Sequence, residues 1–233
     1  MPQTQHIEHH FRSSESIRDI VIGMSDGLTV PFAIAAGLSG VLVATHLVVT
    51  AGLAEIVAGS ISMGLGGYLA AKSDADHYAA ERRREEREII ELPEAEVAEV
   101  ATILAGYGLD VKTAHSVAES FRQRPKDWVD FMMRYELDLA EPNPARIVRS
   151  PLTIGSAYAA GGIIPLFPYF LTGTIQEALP YSVVATLTAL FLFGWFKGHF
   201  TGARPLTAAL QTVLVGGLAA LAAYGLAKLV IGL

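Results

Sequence analysis

Apolar positions in this chain fall into long unbroken runs at both ends, with short helical stripes between them. Residues 20–42 and 47–71 form the first two runs, joined by a short turn near SGVLVATH, and residues 152–171, 181–200 and 205–231 form three more. Each is about the ~20 residues a helix needs to cross hydrocarbon. None shows the ~10-residue alternation of barrel strands, so the pattern predicts five spanning helices. The stretch between the second and third runs is polar. Residues 73–91, SDADHYAAERRREEREIIE, contain no breaker and should continue the second span as one long helix, which Leu92-Pro93 ends. EAEVAEVATILAGYG carries an apolar stripe of Val97, Val100, Ile103 and Leu104 and stops at Gly106 and Gly108. VKTAHSVAESFRQRP predicts a third short helix ending at Pro125, and KDWVDFMMRYELDLAEP a fourth ending at Pro142. The fold class expected is an all-α membrane protein of five transmembrane helices with a helical domain inserted between helices two and three. Its segments are 1–19, 20–71, 72–150 and 151–233.

Composition sharpens this picture. The chain is 52% hydrophobic and only 17% charged, with mean hydropathy +0.40. A net charge of -6 argues against nucleic acid as a partner. There is no cysteine, so metal ligands must be carboxylate, imidazole or thioether. The polar start, MPQTQHIEHHFRSSESIRD, lacks the pattern of a secretory signal, so the first span is expected to serve as its own insertion signal. Arg12 and Arg18 precede span one, twelve Lys and Arg from Lys72 to Arg149 lie between spans two and three, and Arg204 lies between spans four and five. The opposite loops, VLVATH and TGTIQEALPY, have none. The positive-inside rule then puts the N-terminus and the inserted domain in the cytosol and the C-terminus on the far side.

Candidate chemistry begins with acids inside apolar spans. Asp26 sits in span one and Glu55 in span two, and a carboxylate in hydrocarbon is costly enough that its default reading is functional. At ~1.5 Å per residue, Asp26 lies roughly 10 Å, and Met63 roughly 12 Å, from the cytosolic ends of their spans. The two can therefore share one depth. A carboxylate with a thioether suits a borderline divalent ion better than calcium or magnesium. Glu55, nearer the far side, is a candidate proton carrier or exit-side ligand. Met63 is equally readable as a packing residue, Asp26 as paired with Ser25 or Thr29, and Glu55 as a protonated interhelical hydrogen-bonder. Pro31 removes a backbone bond and frees carbonyls near Gly27, as a ligand source, hinge or plain kink. Gly59, Ser60, Ser62, Gly64, Gly66 and Gly67 form a smooth stripe for close helix approach, with a dimer interface as one use.

In the polar block, Glu85 and Glu88 stand on one helical face with Glu81 a turn earlier, and Glu96 and Glu99 repeat the spacing on the next helix. Met132, Met133 and Glu136 lie within about one turn of the fourth helix. Converging, these groups would make a carboxylate and thioether site for divalent cations. Charge alone favours a solvated face with pairs such as Arg84 and Glu88, and the methionines beside Trp128 and Phe131 also suit a small core. His6, His9, His10, His77 and His115 show no ligand spacing and read as solvated. No nucleotide-binding loop, GxSxG, HExxH or Ser/His/Asp pattern occurs, so the chain reads as not an enzyme, and uphill transport would have to run on an ion gradient.

RDIVIGMSDGLTVPFAIAAGLSG, AEIVAGSISMGLGGYLAAKSDADHY and DFMMRYELDL closely resemble the vacuolar iron transporter family of plants, yeast relatives and bacteria, in order and spacing from about Arg18 onward. The resemblance implies a homodimer in the lipid bilayer that exchanges ferrous iron for protons and moves metal out of the cytosol. Manganese, cobalt and zinc are further candidate cargoes, and no resident cofactor is implied. The pathway implied is Asp26, Glu55 and Met63 at an interface formed by spans one and two. The cytosolic metal site implied is Glu85, Glu88, Glu96, Glu99, Met132, Met133 and Glu136. The membrane expected is vacuolar in a plant or fungus and the plasma membrane in a bacterium. The alternatives are a manganese transporter of the same family and a membrane-anchored metal sensor or storage protein without flux.

Overall fold

A computed structural model describes residues 15–41 and 44–231, with no side-chain description at Ile231. Most of the N-terminal segment, including His6, His9, His10 and Arg12, and part of the SGVLVATH turn lie outside the described residues. Eight α-helices run through the described chain: α1 Glu15–Ser39, α2 Thr45–Glu91, α3 Pro93–Gly106, α4 Val111–Ser120, α5 Pro125–Tyr135, α6 Arg146–Leu171, α7 Ile175–Phe200 and α8 Pro205–Ile231. No strand occurs among the described residues. Helices α1, α2, α6, α7 and α8 are long and apolar enough to cross a membrane. The contacts divide the chain into two units, residues 1–68 with 147–233, and residues 69–146.

In the first unit, α6 packs against α1 and α2 so closely that only glycine fits. A Cβ on Gly23 would run into the Ile154 carbonyl oxygen, and one on Gly27 into the Tyr158 backbone. On α2, a Cβ at Gly59 would lie 2.5 Å from the Tyr158 ring, and one at Gly67 2.7 Å from Ile154 Cδ1. Small residues allow this approach, and dispersion between the helices holds it. Much of the small-residue stripe on α2 is therefore used within the chain: Gly59, Gly64 and Gly67 face α6, while Gly66 meets nothing within 4 Å. A core of Ala35, Val48, Ile56, Leu166, Tyr169, Ile175 and Ala178 joins α1, α2, α6 and α7. Ser182 on α7 donates to the Pro165 carbonyl of α6 at 2.7 Å, satisfying a buried hydroxyl. Pro31 lies inside α1 without ending it.

The second unit is stapled at its joints. Pro93 and Pro125 each start a helix at a position whose N–H would be unpaired anyway. Asp110 caps α4 by accepting from the Thr113 N–H at 3.1 Å. Val97, Val100, Ala118, Trp128 and Met132 form the core, each large side chain contributing about 1.5–3 kcal/mol on burial. Arg82 reaches Asp130 on α5 at 2.7 Å, and Arg122 reaches Glu94 on α3 at 2.7 Å.

Two helix ends differ from expectation. Helix α4 stops at Ser120 and a 3₁₀ turn, Phe121–Gln123, carries the chain to Arg124. Helix α5 ends at Tyr135 instead of reaching Pro142. The Leu137 N–H goes back to the Met132 carbonyl at 3.2 Å, and Asp138 takes a left-handed φ of 51°, a conformation aspartate tolerates better than most residues. Leu137 and Leu139 alternate instead of recurring at three or four positions, so no helical face continues past Glu136.

Candidate metal and proton sites

The acidic site is built where the end of α2 meets α3. Burial and helical spacing bring Glu85, Glu88 and Glu96 together, with one carboxylate oxygen from each within 4.8 Å of the other two. Glu85 and Glu96 are only 3% and 4% exposed, and each has a buried Oε2 with no hydrogen-bond partner. Burial, reinforced by the charges of Glu136, Glu96 and Glu88, pushes the Glu85 carboxyl up to about 7. Burial together with Glu99 and Glu136 does the same for Glu96, also to about 7. Glu136 is raised as well, first by burial and then by Glu99, with which it also shares a hydrogen bond. Five of the predicted carboxylates thus act on one another. Arg84, held to Glu88 at 3.1 Å, is the cation felt by Glu85, Glu96 and Glu136. Both readings of this face are realised: the Arg84–Glu88 pair exists, and Glu88 belongs to the cluster.

The methionines are buried too. Met132 is fully buried within the core of Val97, Val100, Ala118 and Trp128. Met133 is buried at 1% exposure. Two unpaired acceptors in a clustered, proton-retaining carboxylate set are the donor chemistry a divalent cation takes.

The first unit carries Asp26 on α1 and Glu55 on α2. Asp26 is exposed and opens on a cavity of about 430 Å³, with Ser25 and Thr29 on α1, Lys197 on α7, and Gln211, Thr212 and Val215 on α8. Glu55 is half-buried on α2, and its Oε1 accepts from the Tyr158 hydroxyl on α6. Its Oε2 is buried without a partner. Met63 is half-buried on α2. Sequence reasoning missed Lys197 and Tyr158. Lys197 stands in the last turn of an apolar span, a signal visible in the sequence; Tyr158 lies 103 residues from Glu55, and only the α2–α6 packing joins them.

Fold and sites together define a multi-span helical membrane protein carrying a glutamate-lined helical unit. The model of the VIT family matches residues 17–228, and the chain belongs to that family. Vacuolar iron transporter 1 of Arabidopsis thaliana is 55% identical over 225 residues, covering 97% of this chain and 90% of the relative. A vacuolar iron transporter of Centaurea cyanus is 54% identical over 224 residues, covering 96% and 91%. Protein CCC1 of Saccharomyces cerevisiae is 40% identical over 221 residues, covering 91% and 68%.

Proposed function

We propose that this protein is a proton-coupled antiporter that moves ferrous iron out of the cytosol into a vacuole. The observation that carries the reading is Asp26, a carboxylate inside a spanning helix that opens on a cavity shared with Ser25, Thr29, Lys197, Gln211 and Thr212. The names of the plant relatives support iron and the vacuole as cargo and destination. In this reading the Glu85, Glu88, Glu96, Glu99 and Glu136 cluster, joined by the thioethers of Met132 and Met133, collects metal on the cytosolic side. Carboxyls that hold protons to about pH 7 must release them when a divalent ion arrives, which ties metal capture to proton release. Asp26, Met63 and Glu55 then carry the ion and the returning proton through the bilayer. The N-terminus and residues 72–150 face the cytosol, as the concentration of Lys and Arg there supports. The working unit is a homodimer with spans one and two at the interface. The open space beside Gly66 and the exposed Ile61 and Leu65 on α2 suit such a contact.

The test is uptake into liposomes carrying the purified protein, with an acid lumen and ferrous iron offered outside under anaerobic conditions. Iron uptake that alkalinises the lumen is the expected result. Iron binding with no uptake would move the protein to the sensor or storage class.

A further inference from the structure

Helices α1, α7 and α8 enclose a second cavity of about 310 Å³, which contains none of the acids. Phe32 lines it from α1, Val183 and Leu187 from α7, and Gly217, Leu221 and Tyr224 from α8. Its walls are apolar throughout, and an apolar cavity of this kind does not hold water. Leu221 is 68% exposed, so the cavity opens at the outer face of α8, where a spanning helix meets hydrocarbon. One end is different. A Cβ on Gly40, just past α1, would stand 3.3 Å from the Tyr224 ring, so the ring is held against the end of α1. One turn further along α8 the Lys228 ammonium lies over that ring, 5.9 Å from its centroid. Among the described residues this ring, and not a carboxylate, is its contact. The loops at this end of the spans, VLVATH and TGTIQEALPY, have no Lys or Arg, which leaves Lys228 as the basic side chain there.

We propose that this cavity binds an anionic phospholipid, with one acyl chain between α1, α7 and α8 and the headgroup phosphate at Lys228 beside Tyr224. Gly217, Leu221 and Tyr224 recur every three or four residues, so they share one face of α8 and run roughly 10 Å along it. An elongated apolar slot that ends at a tyrosine and a lysine has the order of parts of a phospholipid: chain, interface, charge. Tyrosine suits the boundary between hydrocarbon and headgroups, and a lysine there attracts anionic lipid in particular. A water-soluble ligand would find no polar partner in the slot. Its volume is at the low end of the roughly 300–1,000 Å³ of small-molecule pockets, which suits part of one chain and not a whole lipid. The site is separate from the cavity at Asp26, so lipid binding does not depend on whether the protein moves iron.

The test is lipid binding to the purified full-length protein in detergent, read by native mass spectrometry. The probes are dioleoyl phosphatidylglycerol and dioleoyl phosphatidylcholine, which share their chains and differ in headgroup charge. Wild type is expected to bind the anionic lipid about five-fold more tightly. Lys228→Gln should erase that preference and keep the affinity that the chains supply. Gly217→Leu should weaken both lipids by about ten-fold, because its side chain takes up the slot. A Cβ at Gly217 meets nothing nearer than Leu187 Cδ2 at 3.9 Å, and replacing glycine favours the helix. The thermal midpoint of this variant without added lipid should therefore not fall below that of wild type, which separates lost binding from lost folding. Equal binding of the two lipids by wild type would overturn the assignment, as would a preference that survives Lys228→Gln. Glycerol phosphate, which has the charge without the chains, should not compete; if it displaces the lipid, the site is one for free phosphate and the assignment fails. Lipid binding unchanged in Gly217→Leu, with the mass of the assembly altered instead, would make this face a contact between copies and overturn it too.

Discussion

The two units use the same functional group in opposite ways. In residues 69–146, five glutamates are crowded until they repel one another, and Glu85 and Glu96 hold protons to about pH 7. In the spanning unit Asp26 and Glu55 stand on different helices. Asp26 opens on a cavity shared with Lys197, and Glu55 is held by one phenol. Crowding makes a site that gains by capturing a dication, because each bound charge relieves several repulsions at once. A site with fewer converging carboxylates lets go more readily. A chain that must both collect and release a cation has a use for each arrangement, and the contrast predicts that the two can be disabled independently.

The largest effect expected is on passage. Asp26→Ala removes the carboxylate from the span and should lower metal flux about 100-fold or more in reconstituted vesicles, while metal binding to the full protein stays intact. Next is capture. Glu85→Gln with Glu96→Gln keeps the shape of the cluster and removes two charges. Metal affinity of the full protein, measured by calorimetry at pH 7.5, should fall at least about 10-fold, with flux restored at saturating metal.

A pH dependence follows from the same crowding. Glu85 and Glu96 titrate near 7 when folded and near the ordinary 4.5 when unfolded. Between those values the folded unit binds more protons than the unfolded chain, so its stability falls as pH rises through that window and levels off above it. The urea midpoint of residues 69–146, followed by Trp128 fluorescence in a Trp195→Phe background, should therefore be lower at pH 8 than at pH 5. Divalent metal should raise it at pH 8. A midpoint that rises with pH would contradict the repulsion account. The smallest effect expected is at Arg84, exposed and paired with Glu88 and Glu81. Arg84→Ala removes a competing cation and should tighten metal binding at pH 8 by about two- to three-fold.

Much of this architecture can be read from the chain. Run length marks the five spans, and the breaker-free stretch 73–91 correctly continues the second span into α2. Leu92-Pro93 marks the end of α2, whereas Pro125, read as the end of the third short helix, is the first residue of α5. Helical spacing puts Glu85 with Glu88 and Glu96 with Glu99 on shared faces, but their meeting depends on the packing of α2 against α3, which no local pattern encodes. Met132 shows the limit from the other side. Its type and position suit a thioether ligand, and its burial beside Trp128 suits a core residue equally. The end of α5 was missed because a proline seven residues on looked like the stop, whereas the loss of helical periodicity after Glu136 was the better signal. Tyr158 was out of reach because its partner lies 103 residues away.

In the proposed mechanism, capture and passage reside in different carboxylates. The most direct test measures stoichiometric ferrous iron binding and proton-coupled iron uptake on the same preparations of Asp26→Asn and of Glu85→Gln with Glu96→Gln. The first is expected to bind iron without moving it, and the second to bind weakly yet move iron when iron is saturating. Loss of both activities in either variant, with the protein folded, would contradict it.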